Sequence, residues 1–163
     1  MNRIKYTVMS VALLVSAGAS GQTAFEEYFE DDSAGTDLTQ AGYVLTYNPA
    51  YTGTVTFTVA LNDSNKVARM VAQPSGGARM QWVRAIDVLP GKTYAYEVWT
   101  LGPWKRQLMI YSLSDELLAA SNEYKPATEE EKVEWKKLEL AFIPDPGVTQ
   151  IKIGFFHSWS GTI

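Results

Sequence analysis

Cysteine is absent from this 163-residue chain, so neither a disulfide framework nor a Cys-ligated zinc site is available to it. Without a cysteine after the first apolar run, a bacterial lipoprotein anchor is excluded as well. Histidine is nearly absent too. The one residue, His157, cannot build a multi-histidine metal site and is a poor basis for a Ser-His-Asp triad. Long helical patterns are missing, as are internal repeats and Pro/Gly/Ser-rich linkers. The EF-hand calcium loop is not there either.

What is present is apolar and aromatic. Hydrophobic residues make up 46% of the chain and aromatic residues 12%, enough for a real core and too much for global disorder. The length suits one domain with a short appendage. The appendage is N-terminal. Arg3 and Lys5 precede an apolar run from Val8 to Ala17, followed by the small residues Ala17-Gly18-Ala19-Ser20-Gly21. This is the pattern of a secretory signal peptide, too short to span a bilayer, with cleavage after Ala19 or Gly21. Residues 1–22 are therefore expected to stand outside the fold, and the product to be secreted, periplasmic or on the cell surface. Without Arg3 and Lys5, 12 basic residues face 18 acidic ones, and the net charge moves from −4 to −6. An acidic surface argues against nucleic acid and anionic membranes as partners.

The chain is organised around Ala78–Leu101, which reads as two long strands joined at a Pro90-Gly91 corner. Further strands are expected at Tyr43–Tyr47, Thr54–Ala60, Lys66–Ala72, Gln107–Leu113, Trp135–Ile143 and Thr149–Phe156. The segment Leu117–Pro126 is either irregular or a short strand around Leu117-Leu118-Ala119-Ala120. Thr128-Glu129-Glu130-Glu131 has the spacing of a capping box but is too short for a helix, and a solvated loop is expected. About eight antiparallel strands with turn signals at regular intervals predict an all-β sandwich or jelly roll.

Three stretches carry a family resemblance: Val88-Leu89-Pro90-Gly91-Lys92-Thr93-Tyr94, Trp135-Lys136-Lys137-Leu138-Glu139-Leu140-Ala141-Phe142, and Pro146-Gly147-Val148-Thr149-Gln150-Ile151-Lys152-Ile153-Gly154-Phe155. In this order they resemble the galactose-binding-like jelly rolls of carbohydrate-binding modules, of the family four, nine and twenty-two type. The resemblance covers the chain from about residue 25 to 163. It implies a jelly-roll domain over residues 23–163 that binds polysaccharide without catalysis, as an accessory domain of a glycoside hydrolase or on its own. Phe29-Glu30 matches the family's N-terminal element, which implies a structural calcium held in part by Glu30. The family also has a last strand after a Gly-Thr. This sequence reaches Gly161-Thr162-Ile163, so that strand is expected to be missing, which puts the calcium in doubt.

Alternation nominates the ligand surface. With Tyr94, Tyr96 and Val98 in the core, Glu97 and Trp99 point the other way. With Leu108 and Ile110 inside, Tyr111 points out, and with Ile151, Ile153 and Phe155 inside, Lys152 and Phe156 do. Trp99, Tyr111 and Phe156, with Glu97 and Lys152, are expected to form one sugar-facing surface. Trp104, Arg106, Tyr124, His157 and Trp159 form a separate loop set, of which Trp104 and Arg106 are the candidate ligand contacts. Trp82 is in phase with Ile86 and Val88 and is assigned to the core. Trp135 matches a core or sheet-end position, and His157 reads as a hydrogen-bonded sheet-end residue.

Two other functions compete. A glycosidase would need paired carboxylates, for which Glu97 and Glu139 are available. An adhesion or structural domain of a surface protein would use the same fold for protein contacts.

Overall fold

The structure is a computed structural model that describes residues 6–14, 25–27, 33–47, 49, 51–62, 65–73 and 79–158. Eleven strands appear among them: β1 (Tyr6–Leu14), β2 (Phe25–Glu27), β3 (Val44–Tyr47), β4 (Thr54–Asn62), β5 (Asn65–Gln73), β6 (Arg79–Asp87), β7 (Tyr94–Leu101), β8 (Lys105–Tyr111), β9 (Leu117–Ala120), β10 (Lys136–Phe142) and β11 (Gln150–Ser158). One 3-10 turn, Leu38–Ala41, is capped by the Asp37 side chain and closed by Gly42 at φ 85°. The strands form two antiparallel sheets. The first runs β10-β7-β1-β5-β4, with β2 paired to β1, and the second runs β3-β6-β11-β8-β9. The molecule is an all-β sandwich. The count exceeds the eight strands expected because β1, β2 and β9 join them.

The two arms of the Ala78–Leu101 stretch belong to different sheets. β6 lies in the second sheet and β7 in the first, so Pro90-Gly91 carries the chain across the sandwich rather than closing a hairpin. Gly91 takes φ 70°, a left-handed value that costs a residue with a Cβ but not glycine. Its N–H donates to Pro144 O at 3.0 Å, and the Leu89 N–H donates to the Tyr94 hydroxyl at 2.6 Å. The crossing follows from the burial each arm needs. Trp82 and Ile86 of β6 face Tyr96 and Val98 of β7 through one shared core. Two apolar faces bury each other best from opposite sheets.

The core is aromatic at its centre. Trp82 stacks with Phe57 at 6.2 Å and with Phe155 at 6.3 Å, and Tyr43 meets it edge-on at 5.2 Å. Trp82 is fully buried, as its phase with Ile86 and Val88 predicts.

Residues 1–22 do not stand wholly outside this architecture. Tyr6–Leu14 lies within the first sheet, antiparallel to β7 on one side and to β5 and β2 on the other. An apolar segment satisfies its backbone groups by pairing on both edges, and the space between β5 and β7 is where it does so. The Thr128–Glu131 box does form its reciprocal bonds. Glu131 N–H donates to Thr128 Oγ1 at 3.2 Å, and Glu131 Oε2 accepts from Thr128 N–H at 3.4 Å. The segment nevertheless stays a run of turns, as expected.

Candidate functional site

The surface expected from alternation is divided by the sandwich. Inward and outward faces are as predicted on each strand, since Tyr96, Val98, Leu108, Ile110, Ile153 and Phe155 are all buried. Glu97 and Trp99, however, face out from the first sheet, whereas Tyr111, Lys152 and Phe156 face out from the second. The five residues therefore lie on opposite sides of the molecule. Alternation reports the face of a strand but not the sheet to which the strand belongs.

On the first sheet, Trp99 is 48% exposed. Glu97 stands directly opposite Glu139 of β10 in the strand register. Lys137 lies between them, 2.5 Å from Glu97 and 3.6 Å from Glu139. The hydrogen bond to Glu97 raises the Lys137 pKa above its ordinary value.

The second sheet carries a more developed surface, centred on β11. Gly154 lies between Val83 of β6 and Met109 of β8, and Phe156 between Gln81 and Gln107. Thr46 of β3 extends that second row beyond Gln81. Gly154 has no side chain, and Tyr111 uses the space. A Cβ built there would come within 3.2 Å of Tyr111 Cε2, so the ring packs over Gly154. Its hydroxyl bonds to Gln81 across the strand and donates to Met109 Sδ at 2.7 Å. Burial raises the Tyr111 pKa, and the Gln81 bond partly offsets this. From beneath, the buried Tyr96 hydroxyl donates to Gly154 O at 3.3 Å, tying the first sheet to the centre of the platform.

Two lysines on this face are paired, while Asp87 of β6, in phase with Gln81, accepts from the Gln150 amide at 2.7 Å. Lys152 binds Asp115 at 2.8 Å, and Lys105 binds Glu123 at 2.6 Å. What remains between them is uncharged: two aromatic rings, two glutamine amides and a threonine hydroxyl. Gln107 Nε2 donates to Ser121 O at 2.7 Å, which fixes the orientation of that amide. Gln81, Gln107 and Thr46 were not singled out from the sequence. Their phase, one residue off Trp82, Leu108 and Leu45, gives their outward direction. Only the register brings them beside Phe156.

Trp104 and Arg106 are not surface residues. Both are buried, because β8 begins at Lys105 and Arg106 falls in phase with the inward Leu108 and Ile110. Arg106 donates to Gly102 O at 2.8 Å, Trp104 O at 3.1 Å and Thr100 Oγ1 at 3.2 Å, with the Tyr124 ring 5.0 Å away. Burial lowers its pKa to about 10. His157 is the penultimate residue of β11, near that strand's end as expected, its ring 4.7 Å from that of Trp104. The expected hydrogen bond is not made, since neither of its nitrogens has a partner among the described residues. Burial, reinforced by the Arg106 charge, lowers its pKa to about 3.

Glu30, to which the resemblance assigns calcium, lies outside the described residues, as does Trp159 of the loop set. Among the described residues, no group of three or more His, Asp or Glu is placed to hold a metal. At one end of the sandwich an open groove of about 720 Å³ separates β9 from β10, lined by Leu113, Glu116, Leu118, Phe142, Ile143 and Asp145 among others.

No protein-family model matches this sequence, and no curated protein matches it. Among solved structures, the enzymatically active domain of tailspike protein 4 from bacteriophage CBA120 is similar. It has a TM-score of 0.53 and 20% identity over 72% of this chain and 17% of that one. An arabinose-bound α-L-arabinofuranosidase is also similar, with 13% identity over 91% of this chain and 24% of that one, but at a TM-score of 0.38 it carries no argument. This chain thus spans about a sixth of the length of the tailspike domain it matches, and the likeness to that domain is one of fold, an all-β architecture.

Proposed function

We propose that this domain is a non-catalytic carbohydrate-binding module, acting outside the cytoplasm, whose ligand lies across the outer face of the second sheet. The observation that carries the reading is the platform of Tyr111 and Phe156 flanked by Gln81 and Gln107. A pyranose ring presents an apolar C–H face that stacks on aromatic rings, while its equatorial hydroxyls need donors and acceptors at the rim. A tyrosine ring packed over Gly154, beside a phenyl ring with an amide on either side, meets both requirements. Because Lys105 and Lys152 are each held by a carboxylate, the surface favours a neutral polysaccharide. The tailspike domain of similar fold is enzymatically active. In this chain the Glu97–Glu139 pair straddles Lys137, an arrangement suited to a solvated ion-pair cluster rather than to an acid and a nucleophile, and this supports the non-catalytic reading.

The test is affinity electrophoresis against a panel of soluble polysaccharides, using the wild-type protein, Phe156→Ala and Trp99→Ala. We expect retardation by a neutral polymer, lost or at least tenfold weaker in Phe156→Ala and kept in Trp99→Ala. Loss in Trp99→Ala alone would move the site to the first sheet. No retardation of a folded protein by any polymer would overturn the reading.

One observation favours a second reading, an adhesion or structural domain. Leu113, Leu118 and Ile143, which line the groove between β9 and β10, are all at least 40% exposed. Apolar side chains gathered at two sheet edges suit protein contact better than sugar.

A further inference from the structure

Each sheet ends in two edge strands, β10 and β4 in the first, β3 and β9 in the second. β3 and β9 have four residues each. β4 is crossed on its free side by residues 35–37: Gly35 N–H donates to Val59 O at 2.8 Å, Val59 N–H donates to Thr36 O at 2.9 Å, and Asp37 bridges to Thr58. β10 differs. Its seven residues pair with β7 along one side, and no backbone hydrogen bond reaches the other side among the described residues. It has no proline and no break in register. Leu138, Leu140 and Phe142 turn toward the core, and Lys137, Glu139 and Ala141 turn outward. An uncovered edge of this kind is a template for another strand. Lysines commonly guard such edges, but both of those on β10 are drawn back onto their own chain. The Lys136 ammonium lies 5.4 Å from the Tyr124 ring and that of Lys137 lies 2.5 Å from Glu97.

The strand's own sequence identifies what fits it. Facing side chains of antiparallel strands lie on the same side of the sheet, so two copies of β10 can pair about a two-fold axis only in registers centred on a residue. Centring on Lys137 sets that lysine against its own copy, and centring on Glu139 sets two carboxylates face to face. Centring on Leu140 brings Pro144, which has no N–H to give, opposite Lys136. Centring on Leu138 avoids all three. Leu138 then meets Leu138 on the core side, and Lys137 faces Glu139 twice on the outer side. This register also answers a charge imbalance in the single chain, where Glu97 and Glu139 stand opposite each other and share the one ammonium of Lys137. The second copy brings another lysine into their row. Trp135, in phase with Lys137 and 38% exposed, faces Ala141 of the second copy, which lies beside Ala95 in the same row. A ring exposed at the start of the strand thus meets two alanines at its far end.

We infer that β10 is a self-association edge. Two copies of this chain join β10 to β10, antiparallel and centred on Leu138, and their first sheets become one continuous sheet. A ladder of this length is a small interface, so the dimer depends on concentration. The inference does not rest on glycan binding, which is proposed for the other sheet, and the outer face of that sheet stays free in both copies.

Sedimentation velocity of the purified protein, from micromolar to near-millimolar concentration, tests it, with Lys137→Glu and Glu139→Lys alongside. The wild-type protein should pass from monomer to dimer as concentration rises. Each variant alone should dimerise at least tenfold more weakly, because each leaves like charges facing across the ladder. An equimolar mixture of the two should dimerise again, because it restores opposite charges at both positions. The chain has no cysteine, so introduced ones report the register. Lys137→Cys mixed with Glu139→Cys should form a mixed disulfide on mild oxidation, and Glu139→Cys alone should form none. The cysteine pair decides the matter even where a charge change unfolds the chain. A wild-type protein that stays monomeric at every concentration overturns the proposal. So does a dimer that neither charge change weakens, a folded mixture that stays monomeric, or a symmetric Glu139→Cys disulfide in place of the mixed one. Polysaccharide retardation of the same samples reports separately on the second sheet.

Discussion

At the scale of single residues, Gly154 is required by what lies on both sides of it. An added methyl would stand 3.1 Å from Val83 Cγ1, 3.2 Å from Tyr111 Cε2 and 3.3 Å from the Trp82 carbonyl oxygen. The carbonyl belongs to a paired strand and cannot retreat, so the Tyr111 ring must lift. Gly154→Ala should cost about 1–2 kcal/mol, measured by urea denaturation, and should weaken polysaccharide retardation more than it lowers stability. His157 makes a prediction in pH. Its folded pKa of about 3 lies below the ordinary value of 6.5, so the unfolded chain binds the proton more readily. Its contribution is fully present above about pH 6.5 and is lost progressively as the pH falls toward 3. His157→Phe, which keeps a ring beside Trp104 and Phe155, should flatten that part of the stability–pH curve by a few kcal/mol. Unchanged acid sensitivity in the variant would assign the effect to carboxylates instead.

At the scale of elements, the crossing between β6 and β7 decides which apolar face meets which. Pro90 fixes one backbone angle, and Gly91 supplies the left-handed one. Gly91→Val places a β-branched residue at φ 70° and should destabilise by about 1–3 kcal/mol in thermal or chemical melts. Nothing within 4 Å would touch the new Cβ, so any loss reports on backbone conformation alone. The expectation of two adjoining arms had the correct residues and the correct corner. The partners were not legible, because pairing joins β6 to β3 and β11, and β7 to β10 and β1, across long stretches of sequence. β8 shows the converse. Its alternation already contained the inward direction of Arg106, and the Gly102-Pro103 turn before it gave the misleading impression of an exposed loop.

At the scale of the molecule, one aromatic cluster joins the sheets. Trp82 touches Tyr43, Phe57 and Phe155, drawn from three other segments of the chain. Trp82→Ala should cost about 3–5 kcal/mol and broaden or abolish the cooperative unfolding transition, as followed by tryptophan fluorescence and calorimetry. The sequence by itself determined the all-β class, the inward and outward residue of nearly every strand, and the burial of Trp82. These follow from a local period of two and from the preference of apolar side chains for the interior. Only the tertiary structure decided that Trp99 and Glu97 lie on the opposite side of the molecule from Tyr111, Lys152 and Phe156. It alone placed Gln81 and Gln107 on either side of Phe156, and Tyr6–Leu14 between β5 and β7. Sheet membership and register are set by backbone pairing between residues up to about ninety positions apart, and no local pattern encodes which of several similar strands will be the neighbour.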